Sequence, residues 1–214
     1  KIESRKEINP YHNGFLPLIT APMDTVICPD NEKLFFDLKV NTCLPRGEDS
    51  IYGWSASSLA EIQENFKHNY LAENGKYLID IANGHMESLA TTVKAIKAKY
   101  PNITLMVGNI ANPITYRDLS LAGADYIRIG IGNGGGCLTT QQLGVGYPMG
   151  SLIKECYEES LKLEKPAKIV ADGGMRTYSD IIKALALGCF IPTAEVLTVN
   201  GKKPIKDVKI GDYV

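Results

Sequence analysis

A cysteine at the end of a glycine run is the sharpest chemical signal in this chain. Ile129 to Thr140 reads I-G-I-G-N-G-G-G-C-L-T-T, with five glycines in the seven positions Gly130 to Gly136 and Cys137 immediately after. Glycine suits backbone that turns sharply or approaches a ligand closely, and the N–H and C=O groups of such a loop can cradle an ion. A cysteine at its end is placed for thiolate chemistry, which needs access and a tuned pKa. The plainer alternative is a turn before a structural cysteine, since cysteine is among the most buried residue types; composition alone leaves both open. Thr139 adds a hydroxyl two residues on. Asp80, Asn109 and Asp172 each follow an apolar run, as strand-end residues that bind or catalyse would. Asp172 sits in A-D-G-G, where a carboxylate can accept two hydroxyls. Arg128 is a further strand-end residue, with an ion pair to Asp125 as its plain alternative.

Residues so placed need strands to carry them. Apolar runs predict strands over Phe15 to Thr20, Val40 to Leu44, Ser50 to Ser55, Tyr77 to Ala82, Thr104 to Val107, Tyr126 to Ile129 and Lys168 to Ala171. Between them, helices are expected over Asn31 to Leu38 (capped by Asp30), from Ser57 or Ser58 onward with Leu59, Ile62 and Phe66 on one face, and over Met86 to Lys99. Others are expected over Pro113 to Ala122 with Asn112 as cap, Gly150 to Lys165, and Tyr178 to Leu187 with Gly188 just past its end. Lys1 to Gly14 reads as polar and extended. The link Pro45 to Asp49 is too short for a helix. Strands alternating with helices argue a parallel sheet, and seven strands up to Gly188 fit an eight-stranded (β/α) barrel, a TIM barrel, lacking its last strand. Such barrels place their chemistry at the C-terminal strand ends.

Six segments in order resemble the IMP dehydrogenase/GMP reductase family: A-P-M-D-T-V at Ala21 to Val26, D-I-A-N-G at Asp80 to Gly84, Gly108-Asn109, the G-I-G-N-G-G-G-C-L-T-T loop, G-V-G-Y-P at Gly144 to Pro148, and A-D-G-G at Ala171 to Gly174. The resemblance spans residues 1–188 and implies the same barrel. It implies that Cys137 attacks C2 of a purine ring to form a covalent nucleotide adduct, with Thr139 working beside it. By the same likeness Met23 packs on the base, Asp172 grips the ribose, and the backbone of Gly173 and Gly174 reaches the phosphate. Gly135 stands in the nucleotide-binding loop where the family often has serine, so one side-chain phosphate contact is missing. Asp80, Asn109 and Arg128 match residues near the purine and the nicotinamide. The carbonyls of Gly132, Gly134 and Cys137 match positions that hold potassium in the dehydrogenases. The implied cofactor is NADP or NAD, the substrate GMP or IMP, and the assembly a homo-oligomer. A-P-M-D-T-V leans to the dehydrogenase, D-I-A-N-G and G-V-G-Y-P to the reductase; the balance tips slightly to the reductase. The family's usual histidine segment is replaced by Thr42 to Arg46.

The tail differs in character. Cys189 to Val214 alternates apolar residues around an Asn200-Gly201 turn and closes on G-D, which argues β-structure. It resembles the N-terminal splicing segment of inteins, a Hint-type fold, with Cys189 as the thiol that takes the acyl group of Gly188. Two units follow: a truncated barrel over 1–188 and an incomplete splicing segment over 189–214, with a complementary intein fragment as a candidate partner. The chain as it stands is then expected to be inactive until splicing joins Gly188 to the missing strand.

Composition bounds the rest. A chain of 214 residues, 44% hydrophobic with net charge -1, can bury a core and carries no basic field for nucleic acid. No apolar run reaches the roughly 18 residues of a membrane span. Five scattered cysteines form no disulfide or zinc framework and fit a reducing cytoplasm. Two rival readings stay open: a barrel that binds nucleotide without catalysis, and a passive host whose only active element is the intein.

Overall fold

The computed structural model describes residues 14–135 and 137–189, together with the backbone of 195–198 and 201–204. In chain order the elements are α1 (Pro29–Asp37), β1 (Cys43–Leu44), β2 (Trp54–Ser57), α2 (Leu59–Lys67), β3 (Lys76–Asp80), α3 (Glu87–Lys99), β4 (Thr104–Ile110), α4 (Pro113–Leu121), β5 (Tyr126–Ile129), α5 (Thr139–Leu143), α6 (Met149–Ser160), β6 (Lys168–Ala171) and α7 (Tyr178–Ala186). Strands β1 to β6 form one parallel sheet in sequential order. It curls into a half-barrel, as an incomplete TIM barrel would.

Its two faces bury different residues. Ile79, Leu105, Val107, Ile127, Ile129 and Ile169 join the helices in one apolar cluster, while Cys43, Trp54, Ala56, Leu78, Met106 and Val170 form a second on the inner face. Alternation with period two along each strand produces this division. The caps follow from side-chain chemistry. Ser58 Oγ accepts the Glu61 amide at 3.2 Å, and Asn112 Oδ1 accepts the Ile114 amide at 2.7 Å.

β1 keeps only Cys43–Leu44 of the expected Val40 to Leu44, β4 runs past its expected end at Val107 to Ile110, and five further expectations differ from the structure. The first predicted strand, Phe15 to Thr20, is reduced to isolated bridge residues, with Ile19 paired parallel to Asn41. Seven expected strands are therefore six plus those bridge residues. The weak strand at Ser50 to Ser55 lies later, at Trp54–Ser57, because Ser50 is drawn away: its hydroxyl donates to the buried carboxylate of Glu32. Asp30 does not cap α1; it lies in the first turn behind Pro29, and the Cys28 amide is met by Asn31 Oδ1 at 2.9 Å. The Gly150 to Lys165 helix starts at Met149 and stops at Ser160. The short helix α5 went unforeseen, since five residues carry too little periodicity to read.

The helix-free link between β1 and β2 is as expected. Glu32, 2% exposed, holds it from α1 by accepting from Thr42 Oγ1 at 2.9 Å, from Ser50 Oγ, and from the Ile51 amide at 3.3 Å. In the tail, β7 (Glu195–Thr198) and β8 (Gly201–Pro204) pair antiparallel with Thr198 opposite Gly201. A hairpin is there as expected, but Gly201 opens β8 instead of filling the expected Asn200-Gly201 turn. Asn200 and the other tail residues, like the expected extended stretch before Gly14, lie outside the described residues.

Candidate active site

The row Asp80, Gly108, Arg128 fixes the site. Strand register places these three residues side by side on β3, β4 and β5, and each lies two positions beyond an inner-face neighbour, Leu78, Met106 or Tyr126. Gly108 stands between the two charged residues. A Cβ there would lie 2.3 Å from the Arg128 carbonyl oxygen. With no side chain in the way, the Arg128 guanidinium spans β4 and donates to Asp80 Oδ1. The register then slips between Gly108 and Ile110, a bulge of the kind that re-aims a side chain. Asn109 is the residue affected. Its Oδ1 accepts from Arg128 Nε, and its Nδ2 donates to the Gly130 carbonyl at 2.7 Å and to Asp172 Oδ2 at 2.8 Å. Arg128 Nε lies 3.5 Å from Asp172 Oδ2.

Asp80, Asn109, Arg128 and Asp172, scattered over ninety residues of sequence, are thus one network at the C-terminal strand ends. Arg46 completes it. Its guanidinium reaches the Asp80 carbonyl and lies 3.3 Å from Asp80 Oδ2. The alternative pairing of Arg128 with Asp125 does not form. The two residues stand at opposite ends of β5, about 10 Å apart at 3.3 Å per residue, and Asp125 instead pairs with Lys97 at 3.0 Å and accepts the Leu105 amide at 2.8 Å.

The glycine loop leaves β5 and packs on the A-D-G-G turn. Gly173 has φ +85°, and a Cβ there would stand 2.7 Å from the Gly134 amide nitrogen. Cys137 closes the loop, its amide donating to the Gly134 carbonyl at 3.0 Å. The thiol is exposed, with Sγ 3.3 Å from Thr139 Oγ1. The Thr139 hydroxyl, then the amides of Thr139 and Gly132, hold the Cys137 pKa below the ordinary thiol value, against the opposing charge of Asp172. That is the environment of a reactive rather than a structural cysteine. Thr140 Oγ1 lies 2.9 Å from the Val145 carbonyl and 3.4 Å from that of Gly132, tying the loop to the G-V-G-Y-P segment. At Gly135 an added Cβ would meet nothing within 4 Å, so packing does not demand glycine there.

A cavity of about 270 Å³ opens beside this network, walled by Leu78, Met106 and Val170 and rimmed by Arg128, Asp172 and Gly173. Met23 stands apart, 53% exposed on the loop after the Ile19 bridge and outside the cavity wall. Gly188 and Cys189 lie past α7. Gly188 has φ +109° and closes against the Tyr157 ring. Cys189 is 7% exposed, with Sγ 3.5 Å from the Ile169 carbonyl, and burial pushes its thiol up to about 11.

Sequence reasoning did not foresee the roles of Arg46, Thr140 or His85. Arg46 was visible as the one cation in the segment that departs from the family, but its partner lies two strands away. His85 joins two strand-end loops: Nε2 accepts the Ala111 amide at 3.2 Å, which leaves Nδ1 to donate to Thr115 Oγ1 at 2.7 Å. Burial lowers its pKa. A histidine whose folded pKa is depressed favours the neutral form. Its stabilising contribution is therefore present above the unfolded pKa, about 6.5, and lost as pH falls through the folded value. Thermal melts of His85→Gln beside the parent are expected to converge as pH falls from 7.5 to 5. A gap that stays constant across that range would show that the imidazole does not titrate against folding.

Among the described residues no helix is long and apolar enough to cross a membrane, and no cluster of His, Cys, Asp and Glu could hold a metal ion. Known proteins are similar to about half of this chain. Inosine-5'-monophosphate dehydrogenase of Chlorobaculum parvum is 44% identical over 110 residues, and that of Staphylococcus aureus is 46% identical over 111. These matches cover 51% and 52% of this chain but only 22% of each relative. The IMP dehydrogenase / GMP reductase domain matches residues 56–192, from β2 through α7 and past Cys189. With more than half of its length matched, including Asp80, Asn109, Arg128, Cys137 and Asp172, the chain belongs to the IMP dehydrogenase/GMP reductase family.

Proposed function

We propose that this chain forms the nucleotide-processing part of a purine-nucleotide oxidoreductase whose nucleophile is Cys137. The observation that carries the reading is the exposed thiol, 3.3 Å from Thr139 Oγ1, at the end of a loop packed on the Asp172–Gly173–Gly174 turn. Two backbone amides and the Thr139 hydroxyl favour the thiolate, which adds to C2 of the purine. Asp172 accepts the ribose hydroxyls, and Asn109 and Arg128 hold its carboxylate in place. The Gly173–Gly174 backbone meets the phosphate. Met23 lies on the base once substrate is bound.

A nicotinamide, NAD or NADP, supplies the hydride acceptor or donor when bound. Of the residues assigned to it, Arg128 lines the cavity and fixes Asp80 and Asn109, which lie behind it. Potassium would sit on the carbonyls of Gly132, Gly134 and Cys137. Two of these already accept internal donors, from Thr140 and Cys137. Each retains a second lone pair, so neither contact excludes the ion.

The relatives' names favour oxidation of IMP. D-I-A-N-G and G-V-G-Y-P favour reductive deamination of GMP as a second reading. Assay of the complete, spliced enzyme with IMP plus NAD and with GMP plus NADPH decides between them, and turnover of neither pair would refute the proposal. Asp172→Ala is expected to weaken nucleotide binding by about ten- to a hundredfold, the loss of a charge-assisted hydrogen bond. Unchanged affinity in an equilibrium titration would count against the ribose role.

The tail supports splicing at Gly188–Cys189 through its hairpin and its T-x-x-V spacing. The buried seat of Cys189 adds a condition: its thiol has to leave the Ile169 carbonyl before it can attack Gly188. In this reading the enzyme assembles as a cytoplasmic homo-oligomer after splicing.

A further inference from the structure

We propose that the side-chain amide of Asn133 donates a hydrogen bond to the phosphate of a bound nucleoside monophosphate, supplying from within the glycine loop the contact that Gly135 cannot make. This rests on the purine-nucleotide reading above. Asn133 Nδ2 is shielded from solvent and has no hydrogen-bond partner among the described residues. Buried amide donors in native proteins are almost always paired, so an orphan of this kind marks a place where a ligand or water belongs.

Its surroundings identify the ligand chemistry. Asn133 lies against the glycine turn: its carbonyl oxygen is 3.4 Å, and its Cβ 3.6 Å, from where a Cβ on Gly174 would stand. Its Nδ2 is 3.4 Å from the corresponding point on Gly130. Gly173 and Gly174 both adopt left-handed backbone, with φ +85° and +83°. Among the described residues no backbone acceptor takes the N–H of either. Successive free amides in such a turn form an anion-binding concavity. A neutral donor on a residue that packs against this turn, whose two backbone donors have no acceptor among the described residues, suits a phosphate monoester. The family's serine position is glycine here, so the loop has moved its donor by two residues.

The test measures binding of IMP and GMP, and of inosine and guanosine, to the complete enzyme. Asn133→Ala is expected to weaken monophosphate binding roughly tenfold while nucleoside affinity stays within about twofold. Asn133→Asp should weaken the monophosphate further, because a carboxylate repels phosphate. Equal losses for nucleoside and nucleotide, no loss in Asn133→Ala, or tolerance of Asn133→Asp would each overturn the assignment. Should either variant fail to fold, the parent protein labelled with 15N-asparagine answers instead: the Asn133 side-chain amide resonance should shift with monophosphate and not with nucleoside. A shift with both ligands or neither overturns the assignment. A parent that binds no purine nucleotide refutes the parent reading, which the nucleoside titrations distinguish.

Discussion

Cys137→Ala in the complete enzyme is expected to lower turnover by roughly 10⁴-fold or more, the scale at which loss of a covalent nucleophile is felt. Nucleotide affinity should change by no more than about threefold, since the thiol makes few ground-state contacts. The reasoning is local. Sγ is exposed, so its removal leaves no cavity, and the loop is held by other groups: the Gly134 carbonyl, the Thr140 hydroxyl and the Gly173 contact. Cys137→Ser tests the same point more severely. It retains shape and a hydroxyl, but an alcohol is almost fully protonated at neutral pH. Rapid-quench analysis should trap a nucleotide adduct in the parent and none in either variant. Turnover within tenfold of the parent in Cys137→Ala would exclude the covalent route.

Arg128→Ala is expected to have the largest effect on folding. The Arg128 side chain is 13% exposed and serves Asp80, Asn109 and Asp172 at once. Removing it leaves Asp80, 23% exposed, with Arg46 alone, and Asp172 with Asn109 alone. Breaking a buried pair from one side costs about 3–5 kcal/mol. Partial exposure here lowers that to about 2–3 kcal/mol, a fall of roughly 4–12 °C in Tm for a domain of this size. Arg128→Lys should recover little, because an ammonium cannot bridge two acceptors through a planar fork. Denaturant unfolding that shows less than about 0.5 kcal/mol of loss, the range of an ordinary surface substitution, would mean that Asp80 and Asp172 are satisfied without it.

The sequence made the strand ends legible but not the connections between them. β5 and β6 match the expected ranges residue for residue, because their apolar runs are short and bounded by turn residues. Asp80, Asn109, Arg128 and Asp172 were each identifiable as strand-end polar residues. That they share one network depends on register and on the side-chain gap at Gly108, and both are tertiary facts. The first strand was misjudged for a related reason: Phe15 to Thr20 has a strand's composition, yet it forms isolated bridges, Ile19 to Asn41 among them, and no continuous ladder. Cys137 was legible by type and place, but its lowered pKa required the positions of Thr139 and Gly132. Asn133 gave no signal in sequence, since asparagine is an ordinary loop residue, and only its unpaired amide distinguishes it.

The sequential strand order also bears on how such a chain tolerates interruption during synthesis. Each of the five strand pairings joins neighbours in the chain, so β1 to β6 can be laid down one after another as they emerge. By the end of α7 all five pairings of this sheet are complete. A foreign segment inserted after Gly188 therefore separates no pair already made. An insertion of equal length between β3 and β4 would instead stretch the loop that must close to form the central pair. The half-barrel's strand order is one that pairing along the chain in sequence can build.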